Sequence, residues 1–308
     1  MRRARIRWCV LASVVAGVAA AACDAAGKPA PAGRAAKVTV RPRYEKGQML
    51  HYNLKLSGAT AWTPTIEGVK WGKMATDFTF VLKTKVLRKS GACTFFLMGE
   101  HLRSVGEGPK GAFGVDATRK KTRIKVKDRW QVSLDRSPLV KPMTMTFGPL
   151  GRYRYGTGLA PIAIYMLPHV DRRFWTLLTL APVKEVAPGD KWEQEFQFPV
   201  PGAEGRPLRL KGKWEVLGWR KVRKQEVLAI ALTAALDLKD SDLMLRNGDV
   251  VHVQSGTYKA TGEVLWDVEG GRLCAATAEQ KILVKVDKPS KRALRSECKC
   301  SLKLLGVK

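Results

Sequence analysis

The chain has 308 residues, is 45% hydrophobic, and carries 55 Lys and Arg against 27 Asp and Glu, a formal net charge of +28. A chain of this size and hydrophobic content is large enough to bury a core. It can form one large β domain or two of about 120 residues each. The charge bears on partners and solubility rather than on the fold, and it points to anionic partners.

Residues 1–22 are typical of an export signal peptide. Four arginines precede a short apolar run, from Trp8 to Ala22, which is too short and too rich in Ala for a transmembrane helix. Two fates stay open: simple cleavage after Ala22, or acylation of Cys23 as in a bacterial lipoprotein, although Ala20 stands where such signals usually carry Leu. Either fate predicts a periplasmic or cell-envelope protein, and the second predicts a membrane anchor at Cys23.

The segment 23–37 is rich in Ala, Pro and Gly, which predicts a tether. Two β-rich halves follow, at 38–158 and 183–287, and each begins with a Gly turn and a period-two strand. Aligning Gly47 with Gly189 matches the apolar positions of the two opening strands. Those positions are Leu50, Tyr52, Leu54 and Leu56 in the first half, and Trp192, Gln194, Phe196 and Phe198 in the second.

An apolar stretch at 159–182 separates the halves, and Pro168 should kink any helix that forms there. A basic, Cys-containing tail occupies 288–308. The sequence therefore predicts a mainly β fold of two tandem, strongly curved antiparallel sheets, as duplicated half-barrel-like units joined by a short helical connector. Two alternatives stay open: a chance likeness between two β-rich halves, and a movable lid rather than a packed connector at 159–182.

Three motifs resemble an uncharacterised family of exported, β-rich bacterial proteins of the planctomycete type. They are YEKGQMLHYNL near the start, LAPVKEVAPGDKWEQEF with its G-D-x-W in mid-chain, and GEVLWDVEGGRL near the end. The resemblance covers residues 40 to 287. It implies an exported β protein and no catalytic residue, because that family has no established activity. The halves are also similar in architecture to the half-barrels of periplasmic lipoprotein carriers, which is an analogy of fold alone.

The residues predict no enzyme. None of the four histidines lies at a metal-binding spacing from another, and the chain contains no G-x-S-x-G nucleophile motif. The Gly-rich segment 106–114 lacks the G-K-[ST] ending of a phosphate loop. The acidic segment 237–249 lacks the spacing of a Ca²⁺ loop. We therefore expect no catalytic residue, no metal and no cofactor.

Four cysteines follow the tether, and an even number in an exported chain favours disulfides. Cys298 and Cys300 form a C-x-C that cannot easily close on itself, and both thiols should point to one face of an extended strand. Pairing with the other two cysteines, free thiols and a soft-metal site all stay open, although no third metal ligand is close in sequence. The candidate disulfide residues are Cys93, Cys274, Cys298 and Cys300.

Cations occupy every second position of TRKKTRIKVKDRW, residues 118–130. On one strand they would share a face, with Ile124, Val126 and Trp130 packed on the other. A similar alternation recurs in the second half. The candidate anion-binding residues are Arg119, Lys121, Arg123, Lys125, Lys127, Arg129, Arg209, Lys211 and Lys213.

Two interpretations of this basic face stay open. It can be a solvated strand face that Glu193 and Glu195 partly neutralise. It can also bind an anionic membrane surface or an envelope polymer. Nucleic acid is disfavoured, because the aromatic residues are expected on the face away from the cations, where bases could not stack on them.

The sequence thus predicts a non-enzymatic, exported envelope protein that binds an anionic or amphipathic component through a basic strand face. The first alternative is a carrier of a lipid or another apolar molecule in the concave interior of the sheets, and the second is an enzyme of an unrecognised type. A purely structural, protein-binding module cannot be separated from the first prediction by sequence.

Overall fold

The computed structural model describes residues 28–29, 37–63, 72–90, 92–108, 111–126, 129–133, 136–141, 143–148, 153–157, 185–200, 203–222, 225–244, 250–288 and 292–308. Within these ranges the chain forms strands and turns and no helix. The first ten strands are β1 Lys28–Pro29, β2 Val38–Thr39, β3 Met49–Thr63, β4 Lys73–Leu87, β5 Cys93–Gly108, β6 Gly111–Thr118, β7 Thr122–Val126, β8 Arg129–Val132, β9 Met143–Phe147 and β10 Tyr153–Thr157. The remaining eight are β11 Glu185–Val186, β12 Lys191–Val200, β13 Ala203–Val222, β14 Gln225–Asp237, β15 Ser241–Met244, β16 Val250–Asp267, β17 Arg272–Lys288 and β18 Arg292–Val307.

Sixteen of these strands form one antiparallel sheet. Its main path runs β1-β13-β14-β16-β17-β18-β3-β4-β5-β6-β7-β8, and β9, β10, β12 and β15 pair at its sides. The mainly β, antiparallel prediction is confirmed. The prediction of two separate, strongly curved half-barrel units is not what the structure shows, because one sheet continues through both halves.

The C-terminal strand β18 joins the two halves. It pairs with β17 along one edge and with β3 along the other. Residues 292–307 therefore lie in the middle of the sheet, although the sequence predicts an appended tail at 288–308. The sequence of this segment explains why it is a central strand rather than a tail. Every second residue can be buried on one face, and these residues are Leu294, Ser296, Cys298, Cys300 and Leu302.

The sheet has an apolar face, called here the inner face, and a charged outer face. Leu54, Phe78 and Leu102 lie opposite one another on β3, β4 and β5, and all three are almost completely buried. Their chain neighbours Lys55 and Arg103 lie on the outer face and are exposed. Alternation therefore separates core from solvent along these strands, whereas in the second half Val227, Ala229, Leu265 and Ala275 form a separate small buried cluster.

The two opening turns are built in the same way. Gly47 and Gly189 both have positive φ angles, 84° and 89°. The amide of Gly47 donates to the carbonyl of Thr84 over 3.1 Å, and the amide of Gly189 donates to that of Val216 over 2.7 Å. Each turn thus ties the start of a strand to the end of the next strand. This equivalence agrees with the alignment of Gly47 with Gly189.

The G-D-x-W motif has a structural role at the second of these turns. The Asp190 carboxylate accepts a hydrogen bond from the amide of Ala187 over 2.9 Å and closes the turn. Trp192 stacks on Trp214 of the next strand, with ring centroids 6.0 Å apart and an interplanar angle of 6°. The motif therefore shapes the start of β12 rather than forming a reactive site.

Several predicted features lie outside the described residues. They are the signal peptide at 1–22, the lipidation candidate Cys23, the connector at 159–182 and, apart from Lys28–Pro29 and residue 37, the tether at 23–37. No helix among the described residues is long and apolar enough to cross a membrane.

Candidate functional site

The predicted row of cations does not lie on one strand. Arg119 and Lys121 belong to the connection after β6, Arg123 and Lys125 lie on β7, and Arg129 begins β8. The chain reverses at Thr118, whose amide donates to the carbonyl of Lys121 and whose hydroxyl accepts from the amide of Lys121. The one-strand prediction was therefore wrong, because alternation in the sequence hid this reversal. Lys127 lies outside the described residues.

These cations still gather at one edge of the sheet. Strand β8 ends the strand order, and all four of its residues are exposed. The described residues from Gly111 to Val126 and from Arg129 to Val132 hold six cations and a single carboxylate, Asp116. We call the following set the basic edge: Arg119, Lys121, Arg123, Lys125, Arg129 and Trp130.

Asp116 is the anchor of this edge. The Arg123 guanidinium is 2.5 Å from one oxygen of the Asp116 carboxylate, and Nε2 of His101 is 3.1 Å from the other. Burial raises the pKa of Asp116, but hydrogen bonds from Arg123 and His101 outweigh burial, so its pKa lies below the usual value. The carboxylate is 17% exposed and therefore stays charged and fixed on its two partners.

Asp116 is also the last carboxylate of a ladder of alternating charges that crosses the outer face. Lys55, Asp77, Arg103, Asp116 and Arg123 lie directly opposite one another on five successive strands, β3 to β7. Lys55 and Asp77 approach to 3.9 Å. Opposite charges on facing positions stabilise neighbouring strands, so the middle of the outer face is largely compensated. The ladder ends at Val132, which faces Arg123 from β8.

Trp130 lies among the cations rather than in the core. It faces Lys125 across the β7–β8 pair and is 36% exposed, and the Arg123 guanidinium lies 5.8 Å from its ring centroid. Its ring extends over Gly114 on β6, where an added Cβ would come within 3.0 Å of the ring tip. The prediction that Trp130 packs inside was wrong. The chain reverses a second time between β7 and β8, and this reversal places Trp130 on the face that carries Lys125.

Two of the three predicted basic residues of the second half lie opposite carboxylates. Lys213 approaches Glu193 to 3.9 Å, and Lys211 lies opposite Glu195 in the pairing of β12 with β13. Arg209 lies opposite Gln197 in the same ladder. Glu193 and Glu195 therefore face the second basic segment. The expectation that they partly neutralise the first basic segment, residues 118–130, is not what the strand pairing shows. The two predicted segments consequently differ: only the first has a clear excess of positive charge.

Three of the cysteines in the described part of the chain are not cross-linked. Cys93, Cys274 and Cys300 are free thiols in the structure. Burial raises the pKa of Cys93 to about 12, and burial together with the Asp267 carboxylate raises that of Cys274 to about 11. Burial likewise raises the pKa of Cys300 far above its usual value. None of these three thiols is therefore an activated nucleophile.

The described histidines each lie beside a carboxylate. His51 is 3.9 Å from Glu100, and His252 is 3.0 Å from Asp242, as His101 is close to Asp116. No three His, Cys, Asp or Glu side chains of the described residues gather in a way that could hold a metal ion. His169 lies outside the described residues. Sequence reasoning missed His101 and Asp116, because their pairing depends on strand register.

Comparisons with known proteins do not assign this chain to a family. No protein-family model matches the chain. No curated protein matches it in sequence.

The chain is similar in shape to a lipovitellin studied for its lipid–protein interactions, with a TM-score of 0.42, 10% identity and 86% of this chain covered. It spans about a quarter of that lipovitellin chain, 26%. It also matches DynF of the dynemicin pathway of Micromonospora chersina, with a TM-score of 0.20, 10% identity, and 90% of this chain and 89% of that one covered. OccK5 (OpdH) of Pseudomonas aeruginosa gives a TM-score of 0.23, 5% identity, and 86% and 100% coverage. With all three TM-scores below 0.5, none of these similarities carries an argument about function.

Proposed function

We propose that this protein is a non-enzymatic, exported envelope protein that binds an anionic component of the cell envelope through the basic edge. The observation that carries the proposal is the local charge excess, six cations against Asp116 alone in the described residues of β6 to β8. Export is supported by the leader at 1–22 and by the resemblance to exported β-rich bacterial proteins. An anchor at Cys23 belongs to the same proposal.

The charges of this edge are placed where an extended anion can meet them. Arg119, Lys121 and Arg129 are exposed, and β8 has no strand beyond it in the sheet order of the described residues. Each Lys or Arg near an anionic membrane contributes about 1 kcal/mol, and the attraction falls off within a Debye length of about 8 Å at physiological salt. Several cations on one edge therefore give binding that is useful and strongly dependent on salt.

The ladder of the outer face explains why binding should be local. Along this ladder the cations face carboxylates, as Arg123 faces Asp116 and Lys55 faces Asp77. In the second half Lys213 has Glu193. An approaching anion is repelled by these carboxylates as much as it is attracted by their partners. The basic edge lies beyond the last carboxylate of the ladder, so a net positive charge remains there among the described residues.

Trp130 favours an amphipathic target over a simple polyanion. It is exposed beside Lys125, and Val132, the next residue but one, is 59% exposed. Tryptophan flanked by cations is typical of the interface between lipid headgroups and acyl chains. An anionic phospholipid surface therefore fits this edge better than a polysaccharide that offers charge alone. Its exposed ring also removes the sequence argument against base stacking, so a nucleic acid belongs among the competitors to be tested.

The test is cosedimentation of residues 24–308, which lack the leader and Cys23, with vesicles. Vesicles of phosphatidylglycerol mixed with phosphatidylcholine should bind the protein at low salt, and vesicles of phosphatidylcholine alone should not. Salt at about 0.5 M should release it, since screening then shortens the range of the attraction to a few ångströms. Equal binding to both kinds of vesicle, or no binding to either, would exclude the proposal. Competition by single-stranded DNA or an acidic polysaccharide below the vesicle concentration would reassign the target.

The alternative carrier function stays a prediction. The described inner face is lined by buried apolar residues such as Leu54, Phe78 and Leu102, and no observation among them favours a bound lipid over a side-chain-filled core. Solvent extraction of the purified protein followed by mass spectrometry tests it directly.

A further inference from the structure

The structure brings a third sulfur toward the C-x-C pair. Cys298 on β18 lies opposite Gly58 on β3, and Gly58 lies opposite Met74 on β4. The three positions therefore form one row across three strands. The sequence offers no such ligand, because Met74 is separated from the cysteines by most of the chain.

All these sulfurs lie on the inner face. Cys298 and Cys300 are alternate residues of one strand and so point to the same side, about 6.6 to 6.8 Å apart at the backbone. Met74 is 3% exposed, Cys300 is 9% exposed and Cys298 is half-buried. All three belong to the same core cluster. The set is thus shielded from water but open on the side of Cys298.

The residue between Cys298 and Met74 is a glycine. Gly58 has no side chain, so no side chain of β3 separates Cys298 from Met74 in this row. Cys300 faces the small Ala278 on β17 and the buried Leu56 on β3. Backbones two strands apart are about 9.6 Å from each other, and the flexible Met side chain can lean toward Cys298 across part of that gap.

We propose that Cys298, Cys300 and Met74 form a binding site for a soft metal ion of the Cu(I) type. Two thiolates and a thioether are the ligands that select Cu(I) over harder ions. The C-x-C pair is a poor disulfide, because its backbone separation lies at the upper limit that a disulfide tolerates. Metal binding therefore suits the spacing of these two thiols better than a disulfide between them.

Binding changes protons and no electrons. Each thiol loses its proton as it becomes a ligand, the Met74 thioether is already unprotonated, and copper enters and stays as Cu(I).

The experiment uses the reduced full chain with Cys9→Ser and Cys23→Ser, so that the thiols of the described residues remain. Cu(I) is titrated without oxygen against bicinchoninate as a competing chelator. One Cu(I) per chain should be retained, with X-ray absorption showing sulfur neighbours only. Cys298→Ser should lower the affinity by more than about a hundredfold, since changes to outer partners of a metal ligand already cost 10- to 100-fold. Met74→Leu, which nearly conserves volume, should lower it by about tenfold.

Cys274→Ser is the matched control, because Cys274 is also half-buried but lies elsewhere in the sheet. Its affinity should equal that of the parent. No retention of Cu(I), or an equal loss in Cys274→Ser, would overturn the site. Unchanged affinity in Met74→Leu would overturn the three-sulfur assignment. The β-sheet circular dichroism of each variant checks that the fold persists, and none of these outcomes depends on the vesicle experiment.

Discussion

The guanidinium of Arg123 lies 5.8 Å from the centroid of the Trp130 ring, on the face of the sheet that also carries Lys125. The same guanidinium is ion-paired to Asp116 on its other side. Arg123 therefore links the compensated ladder of the outer face to the exposed aromatic residue of the edge strand. This link places an apolar ring among the cations, which distinguishes the basic edge from an ordinary solvated strand face.

Charge removal at the basic edge should weaken vesicle binding, whereas the same change elsewhere should not. Arg119→Gln with Lys121→Gln removes two exposed cations and should reduce binding to anionic vesicles by about 2 kcal/mol, or roughly 30-fold. Lys211→Gln with Lys213→Gln changes the net charge equally, but those lysines face Glu195 and Glu193. Cosedimentation of both double variants checks this. Equal losses would mean that net charge alone, rather than the basic edge, drives binding.

Trp130 should contribute a part of the binding that salt does not remove. About a third of the ring is exposed, and burying that area in a lipid interface is worth about 2 kcal/mol. Trp130→Gln should therefore weaken binding to anionic vesicles at every salt concentration while leaving the slope against salt unchanged. Binding isotherms at three or more salt concentrations measure both quantities. A changed slope with unchanged low-salt affinity would contradict an apolar role.

The two opening turns should respond equally to loss of glycine. Gly47→Ala and Gly189→Ala place a side chain at a positive φ, and each should lower the free energy of unfolding by about 1 to 2 kcal/mol. No atom would contact the added Cβ at either position, so the cost comes from the backbone alone. Gly306→Ala is the control, because it also meets nothing and has no positive φ. Urea unfolding of the three variants gives the comparison, and a cost at Gly306 as large as at the turns would refute the explanation.

Asp116 should make stability fall in acid. Its pKa is lower in the folded chain than in the unfolded chain, so the stability that it contributes is fully present above the unfolded value of about 4 and is lost as pH falls through the folded value. Because Arg123 is half exposed, the contribution is at most about 1 kcal/mol. Asp116→Asn should be less stable than the parent at pH 7, and the two should converge in acid below pH 4. Parallel stability curves down to pH 2 would contradict this.

The buried thiols should resist alkylation in the folded chain. Burial raises the pKa of Cys93 to about 12 and that of Cys300 still further, so neither forms thiolate at pH 8. Iodoacetamide at that pH should leave both unmodified for hours and should label both after unfolding without a reducing agent. Peptide mass spectrometry identifies the labelled positions. A thiol that is labelled only after reduction would show a disulfide in place of the free thiol.

Strand periodicity was the best-predicted feature of the fold. Leu50, Tyr52, Leu54 and Leu56 are buried as the alternation requires, because one face of a half-covered sheet must be apolar. The opening turns were also found from sequence, since a positive φ calls for Gly at 47 and 189. Strand partners were not predictable to the same degree. The union of β18 with β3 joins the two ends of the chain, and no local pattern encodes such a contact.

The candidate site was predicted in composition but not in arrangement. The cations at 119–129 were identified, yet the reversals around β7 distribute them over one connection and two strands and put Trp130 on the face of Arg123 and Lys125. The second basic segment does not match the first in charge either, because Glu193 lies within reach of Lys213. A shift of one residue in register moves a side chain to the other face of the sheet. The turns, which set the register, therefore determine the face on which each side chain lies.

The β class, the two faces of each strand and the excess of positive charge follow from a period of two and from composition, so they can be predicted from the amino-acid sequence. That both halves share one sheet, that Asp116 holds Arg123 and His101, and that Met74 lies in the row of Cys298 became visible only with the strand pairing. The reason is physical: hydrogen-bonded register brings together residues far apart in the chain, and register is set by turns and by the packing of the whole inner face.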